Sequence, residues 1–238
     1  LMDLSWHSYE LPNEGGPLYQ GRMLTGGFQV VREIVSVNPP TGWFGTLGWP
    51  ETYLFVAKNA AGDVAIVFRG TDLTSLRDWT TDLQFVQNQG YHGGFQLAYL
   101  TVQAQLTNLL DRVVNPHARV YITGHSLGGG IAPIAALDLE SNLLTAMGVA
   151  REDIVLYAFA GPRAMNPVNA AQLGSSIPNH FNVVNKEDLI SHLPAPNTLG
   201  FEYEHMPRMR VLYPRRAMIA ERGVSLDSGI SRGPRQSG

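Results

Sequence analysis

The residues with the clearest chemical meaning are Gly124-His125-Ser126-Leu127-Gly128, a G-x-S-x-G run. It directly follows the apolar stretch "ARVYIT" and directly precedes a small-residue and leucine stretch. Glycines at the first and fifth positions let a sharp strand-to-helix turn pass close to neighbouring backbone and push the serine hydroxyl out at its tip. Ser126 is thereby a candidate nucleophile at a helix N-terminus, where the helix dipole favours developing negative charge.

A serine is a poor nucleophile near neutral pH until a histidine takes its proton, and that histidine needs an acid to hold its tautomer. On a strand–turn–helix elbow of this kind the chain order is nucleophile, acid, histidine, with the last two at the carboxyl ends of later strands. Asp138 falls inside the helix, Asp153 precedes its strand, and Asp227 follows every histidine. Asp188, just past the predicted strand Phe181 to Asn185, is the acid these rules leave. Glu187 beside it reads as a solvated loop residue. Beyond Asp188 the chain holds only His192 and His205.

These residues need a framework, and the pattern supplies one. Thr52 to Lys58 and Asp63 to Phe68 read as a hairpin around the turn Asn59 to Gly62. From Gly94, Leu97, Leu100, Ala104, Leu109 and Val113 recur near helical spacing until Pro116. A second helix is predicted from Gly129 to Met147, ending at Gly148, and "DIVLYAFAGPR" gives a further strand. Alternating strands and helices with continuous apolar strands predict an α/β fold with a mostly parallel sheet covered on both faces. The first fifty residues, rich in Gly, Pro and Trp, read as an irregular wrap with one short strand or helix at Phe28 to Val37. Residues 214–238 read as an aperiodic tail, and the whole 238 residues as one domain.

Composition narrows the function classes. Leu1 to Pro207 carries ten Lys and Arg against eighteen Asp and Glu, while the remainder carries seven Arg against two acids. An acidic body without a basic face argues against nucleic acid as a partner. There is no cysteine, which excludes disulfides, thiolate metal sites and cysteine nucleophiles. It fits either a secreted or a cytoplasmic protein. No histidine and carboxylate cluster has metal-ligand spacing, no cofactor is implied, and no apolar run is long enough to span a bilayer.

Five separated motifs now agree: "VFRGTD" at Val67 to Asp72, "HGGF" at His92 to Phe95, "GHSLGG", "FAGPRAMN" at Phe159 to Asn166, and "NVVNKEDLISHLP" at Asn182 to Pro194. Together they resemble the class 3 lipases, the fungal-lipase-like branch of the α/β-hydrolases. The resemblance implies a triacylglycerol lipase or carboxylesterase working through an acyl-enzyme, with a lipid or other ester as substrate. It implies an oxyanion hole formed by the backbone N–H groups of Thr71 and Leu127. It also puts a mobile lid after "RGT", where Leu73, Leu76, Trp79 and Leu83 recur at near-helical spacing; an ordinary surface helix is the alternative. His92 and His125 occupy motif positions and read as packing groups or as groups that support the site's own residues.

The base is the open point. Phe201, Tyr203 and His205 alternate along one face of a predicted strand that Pro207 ends, so His205 is geometrically credible. In the family, however, the matching "gly-aromatic-x-His" segment is not where the base resides; the base follows some forty residues later, where this chain has no histidine. Either His205 serves, or the last histidine is lost. The second case would make the chain a lipid- or partner-binding relative without full catalysis. An acyltransferase using the same serine is a weaker third reading.

Overall fold

A computed structural model describes residues 1–9, 20–35, 53–70 and 86–213. Its elements, in chain order, are helix α1 (Met2–His7), strands β1 (Gln29–Val35), β2 (Tyr53–Lys58) and β3 (Val64–Phe68), helix α2 (Gly93–Val113), strand β4 (Val120–His125) and helix α3 (Leu127–Leu139). Strand β5 (Ile154–Phe159), helix α4 (Pro167–Ser176), and strands β6 (Asn179–Asn185) and β7 (Met209–Leu212) complete the frame.

The seven strands lie in one sheet in chain order, β1 to β7. The first three are antiparallel neighbours, and β3 to β7 run parallel. Parallel strands buried on both faces need apolar side chains throughout, and all of Val64–Phe68 is buried. The predicted hairpin is β2 and β3, with the Asn59 side chain closing its turn on the Asp63 amide at 2.9 Å.

Strand parity assigns the two faces. Gly124, Ala158 and Asn182 are in register and point to the side of α3, because a Cβ on Gly124 would overlap the Gly128 carbonyl. The side chains of Tyr121, Thr123 and His125 point to the opposite side. There α1 packs, through Leu4, on a second apolar cluster of Leu24, Phe28, Val30, Phe55, Ala57, Ala65 and Val67.

The helix predicted after Gly94 is present, but its buried face is rotated from the expected one. Phe95, Tyr99, Val102, Leu106 and Leu110 enter the core, while Leu100 is 48% exposed. Two stripes of suitable spacing compete on this helix, and the one carrying the aromatics removes more apolar area from water. The short strand or helix expected at Phe28 to Val37 is strand β1, while α1 is order that an irregular wrap did not anticipate. Leu73, Leu76, Trp79 and Leu83, the expected lid, lie outside the described residues, as do Thr71 and the expected tail, residues 214–238.

Helix α3 reaches the sheet through glycines. A Cβ on Gly128 would overlap the Phe68 carbonyl, one on Gly129 would lie 2.9 Å from Gly161 Cα, and one on Gly130 would lie 2.9 Å from the Phe95 ring. Two of these obstacles are backbone and cannot rotate away. Gly128→Ala is therefore expected to destabilise the fold by about 2–4 kcal/mol, against about 1 kcal/mol or less for Gly130→Ala, whose neighbour is a side chain. Equal midpoints in urea denaturation would contradict this ranking.

Candidate active site

Ser126 sits where β4 ends and α3 begins, with φ 54° and ψ −122°. A non-glycine residue there carries strain of order 1 kcal/mol, sustained only when the surroundings enforce it. The enforcement is visible on both sides: the Ser126 N–H donates to Phe159 O at 2.9 Å, and the Gly130 N–H donates to Ser126 O at 3.1 Å. The residue is 4% exposed, and among the described residues its Oγ has no hydrogen-bond partner. The strained turn thus sets Ser126 at the N-terminus of α3.

Leu127 is the first residue of α3, and the N–H groups of a helix's first turn have no intrahelical carbonyl to meet. Its amide therefore has no intrahelical acceptor and stands directly beside Ser126 in the chain. The other expected donor, Thr71, follows the described Arg69 and Gly70.

Asp188 lies in the turn after β6. Its N–H donates to Asn185 O at 3.0 Å, its Oδ1 accepts from the Ile190 N–H at 3.0 Å, and its carbonyl accepts from Ser191 Oγ at 2.8 Å. Arg163, from the turn after β5, holds the same loop by donating to His192 O and Pro194 O at 2.5 and 2.8 Å. Glu187 is exposed, whereas Asp188 is half-buried and its charge reaches His125. Burial pushes the His125 imidazole below its ordinary range, and Asp188 partly offsets this. The rejected alternatives stand where the pattern put them: Asp138 on α3 accepts from Tyr99, Gln103 and Asn142, and Asp153 precedes β5.

His205 lies between β6 and β7 in the chain. The strand predicted to carry it ends at Glu202, paired only with Asn197–Thr198, and His205 follows in a loop. Its Nδ1 accepts from Asn182 Nδ2 at 3.0 Å, on the α3 side of the sheet. Burial, reinforced by the nearby Arg163 charge, pushes it down to about 4. Among the described residues no hydrogen bond joins His205 to Ser126 or Asp188. His192 is exposed, with its Nε2 3.1 Å from Lys186 O. His92 is fully buried and stacked on Phe95 at 4.2 Å, a packing group as its position suggested.

Sequence reasoning passed over Tyr9. Its hydroxyl lies 2.8 Å from His125 Nδ1, inside a stretch whose six-residue helix is too short to show a period.

An elbow serine on the carboxyl edge of a parallel sheet, backed by helices on both faces, defines the α/β-hydrolase fold. Residues 65–198 match the class 3 lipases, and the chain belongs to that family. It is 35% identical over 161 residues to a lipase of Rhizomucor miehei, covering 63% of this chain and 43% of the relative. It is 29% identical over 176 residues to the secreted mono- and diacylglycerol lipase A of Penicillium cyclopium, covering 70% and 53%. Among solved structures it resembles a triacylglycerol lipase whose catalytic centre is described as a serine protease triad, at TM-score 0.64 and 27% identity over 85% of this chain and 74% of that one. The chain spans about half the length, or less, of these curated relatives. Among the described residues no helix is long and apolar enough to cross a membrane, and no group of His, Cys, Asp and Glu could hold a metal ion.

His92 generates a pH prediction. Burial pushes it down to about 4 from its ordinary 6.5, so the folded state resists a proton that the unfolded chain accepts. The stability it supports is complete above pH 6.5 and is lost as pH falls toward 4, by up to about 3 kcal/mol. Urea denaturation at pH 7 and pH 4.5 should show a smaller acid loss in His92→Gln than in wild type; equal losses would refute the assignment.

Proposed function

We propose that this chain is the catalytic core of a serine ester hydrolase acting on acylglycerols or similar lipid esters. The observation that carries the reading is Ser126, with a strained backbone and a buried hydroxyl that has no hydrogen-bond partner among the described residues, at the N-terminus of α3 in a class 3 lipase framework. Ser126 attacks the ester carbonyl, and the carbonyl oxygen takes up the negative charge. The Leu127 N–H, with that of Thr71, stabilises this oxyanion; two preorganised donors each matter by roughly 3 kcal/mol in such transition states. An imidazole must take the Ser126 proton and return it to the leaving alkoxide, which departs as the alcohol; water, deprotonated by the same imidazole, then hydrolyses the acyl-enzyme and frees Ser126 and the acid. Asp188 is the carboxylate that orients the imidazole, supported by its half-buried, hydrogen-bonded turn.

His205 would have to give up Asn182 to become that imidazole. We place it instead as a group that holds its loop against β6. Relatives named as lipases and mono- and diacylglycerol lipases support a lipid ester as substrate.

Hydrolysis of a p-nitrophenyl butyrate ester tests the roles. Ser126→Ala is expected to lose about a hundredfold or more, and Asp188→Asn a comparable amount, at unchanged thermal midpoints. Per folded molecule, His205→Ala is expected to stay within about threefold of wild type. A collapse of His205→Ala to the Ser126→Ala level would restore it as the base, and full activity in Ser126→Ala would end the hydrolase reading.

A further inference from the structure

Helix α1 has no part in the chemistry above, yet its C-terminal end reaches both segments on which that chemistry depends. Ser5 Oγ and Thr123 Oγ1 share a hydrogen bond at 2.9 Å, and Thr123 Oγ1 also donates to Tyr157 O at 2.7 Å. These contacts register α1 against β4 and β5. One turn further on, the Tyr9 hydroxyl lies 2.8 Å from His125 Nδ1, with the rings edge-on at 5.7 Å.

The same hydroxyl rests against Gly70. A Cβ there would overlap the Tyr9 hydroxyl and lie 2.5 Å from His125 O. The Arg69 guanidinium sits 6.0 Å above the Tyr9 ring. One phenol side chain therefore touches the end of β3 and the end of β4 together.

That position has a mechanical meaning. The β3–β4 ladder ends at the pair Phe68 and Gly124, so no sheet register holds Gly70 and His125 relative to each other. Beyond those two residues lie Thr71 on one segment and Ser126 and Leu127 on the other. A pair of oxyanion donors must keep its spacing to a fraction of an ångström to be useful.

We propose that Tyr9 is a positioning residue: its hydroxyl braces Gly70 against His125 past the end of the ladder, and so fixes the spacing between the oxyanion loop and the nucleophile elbow. The inference rests on the hydrolase reading of Ser126, but the brace itself is a property of the fold.

The test compares wild type, Tyr9→Phe, His125→Phe and the double variant on p-nitrophenyl butyrate, with hydrogen exchange measured on peptides covering residues 68–70 and 124–128. Tyr9→Phe keeps the ring and removes only the hydroxyl. The expected result is a kcat lower by about five- to thirtyfold, with KM within about twofold and a thermal midpoint within about 2 °C. The double variant should be no slower than the slower single, because both remove one contact. Exchange at both segments should accelerate in Tyr9→Phe. Unchanged kcat, multiplicative losses, or a loss that follows the thermal midpoint would each overturn the brace. Should wild type hydrolyse no ester, the proposed function fails separately, and exchange decides: unaltered exchange in Tyr9→Phe overturns the brace.

Discussion

The rest of the structure depends on how closely helix α3 approaches the sheet beneath it. Gly124 meets Gly128, Gly128 meets the Phe68 carbonyl, and Gly129 meets Gly161, backbone against backbone in each case. This approach forces β4 to turn into α3 within a single residue. Ser126 takes the strain of that turn, at φ 54°, because its N–H is held by Phe159 O and its C=O by the Gly130 N–H. A looser elbow would let Ser126 relax to negative φ and swing the hydroxyl away from the helix N-terminus. The strained backbone at Ser126 is thus a consequence of missing Cβ atoms two and three residues away.

The parallel strands extend this constraint outward. Each added strand from β3 to β6 delivers its carboxyl end to the same edge: Arg69 and Gly70 after β3, Ser126 after β4, Arg163 shortly after β5, Asp188 after β6. The loops themselves are short of regular structure, so their order comes from side chains clasping carbonyls. Arg163 holds the Asp188 loop in this way, and Tyr9 meets the segments after β3 and β4 from the far face. An edge assembled like this separates tasks, with the ladder setting coarse position and a few polar contacts setting the fine one.

How much of this was legible in the sequence follows from the range of the forces involved. The elbow, the hairpin, the two long helices and the placement of Asp188 depend on local pattern and chain order, and they could be read directly. The buried face of α2 could not, since Leu97, Leu100 and Ala104 offer a stripe as regular as that of Phe95, Tyr99 and Val102; only the sheet's demand for larger side chains decides. Helix α1 is six residues long and shows no period, so Tyr9 had no local signature at all. Its significance appears only when residues 116 positions apart meet at 2.8 Å.

His205 shows the same limit for alternation. Phe201, Tyr203 and His205 have the spacing of a strand, but the described strand stops at Glu202, and Glu204 makes only an isolated bridge to Met165 among the described residues. Register settles which side it reaches. Asn182, which holds the imidazole, is in line with Ala158 and Gly124 and so faces α3, while His125, the residue that feels the Asp188 charge, faces α1. Chain order made His205 available as a base; its hydrogen bond to Asn182 ties it to a side chain on the α3 face of β6.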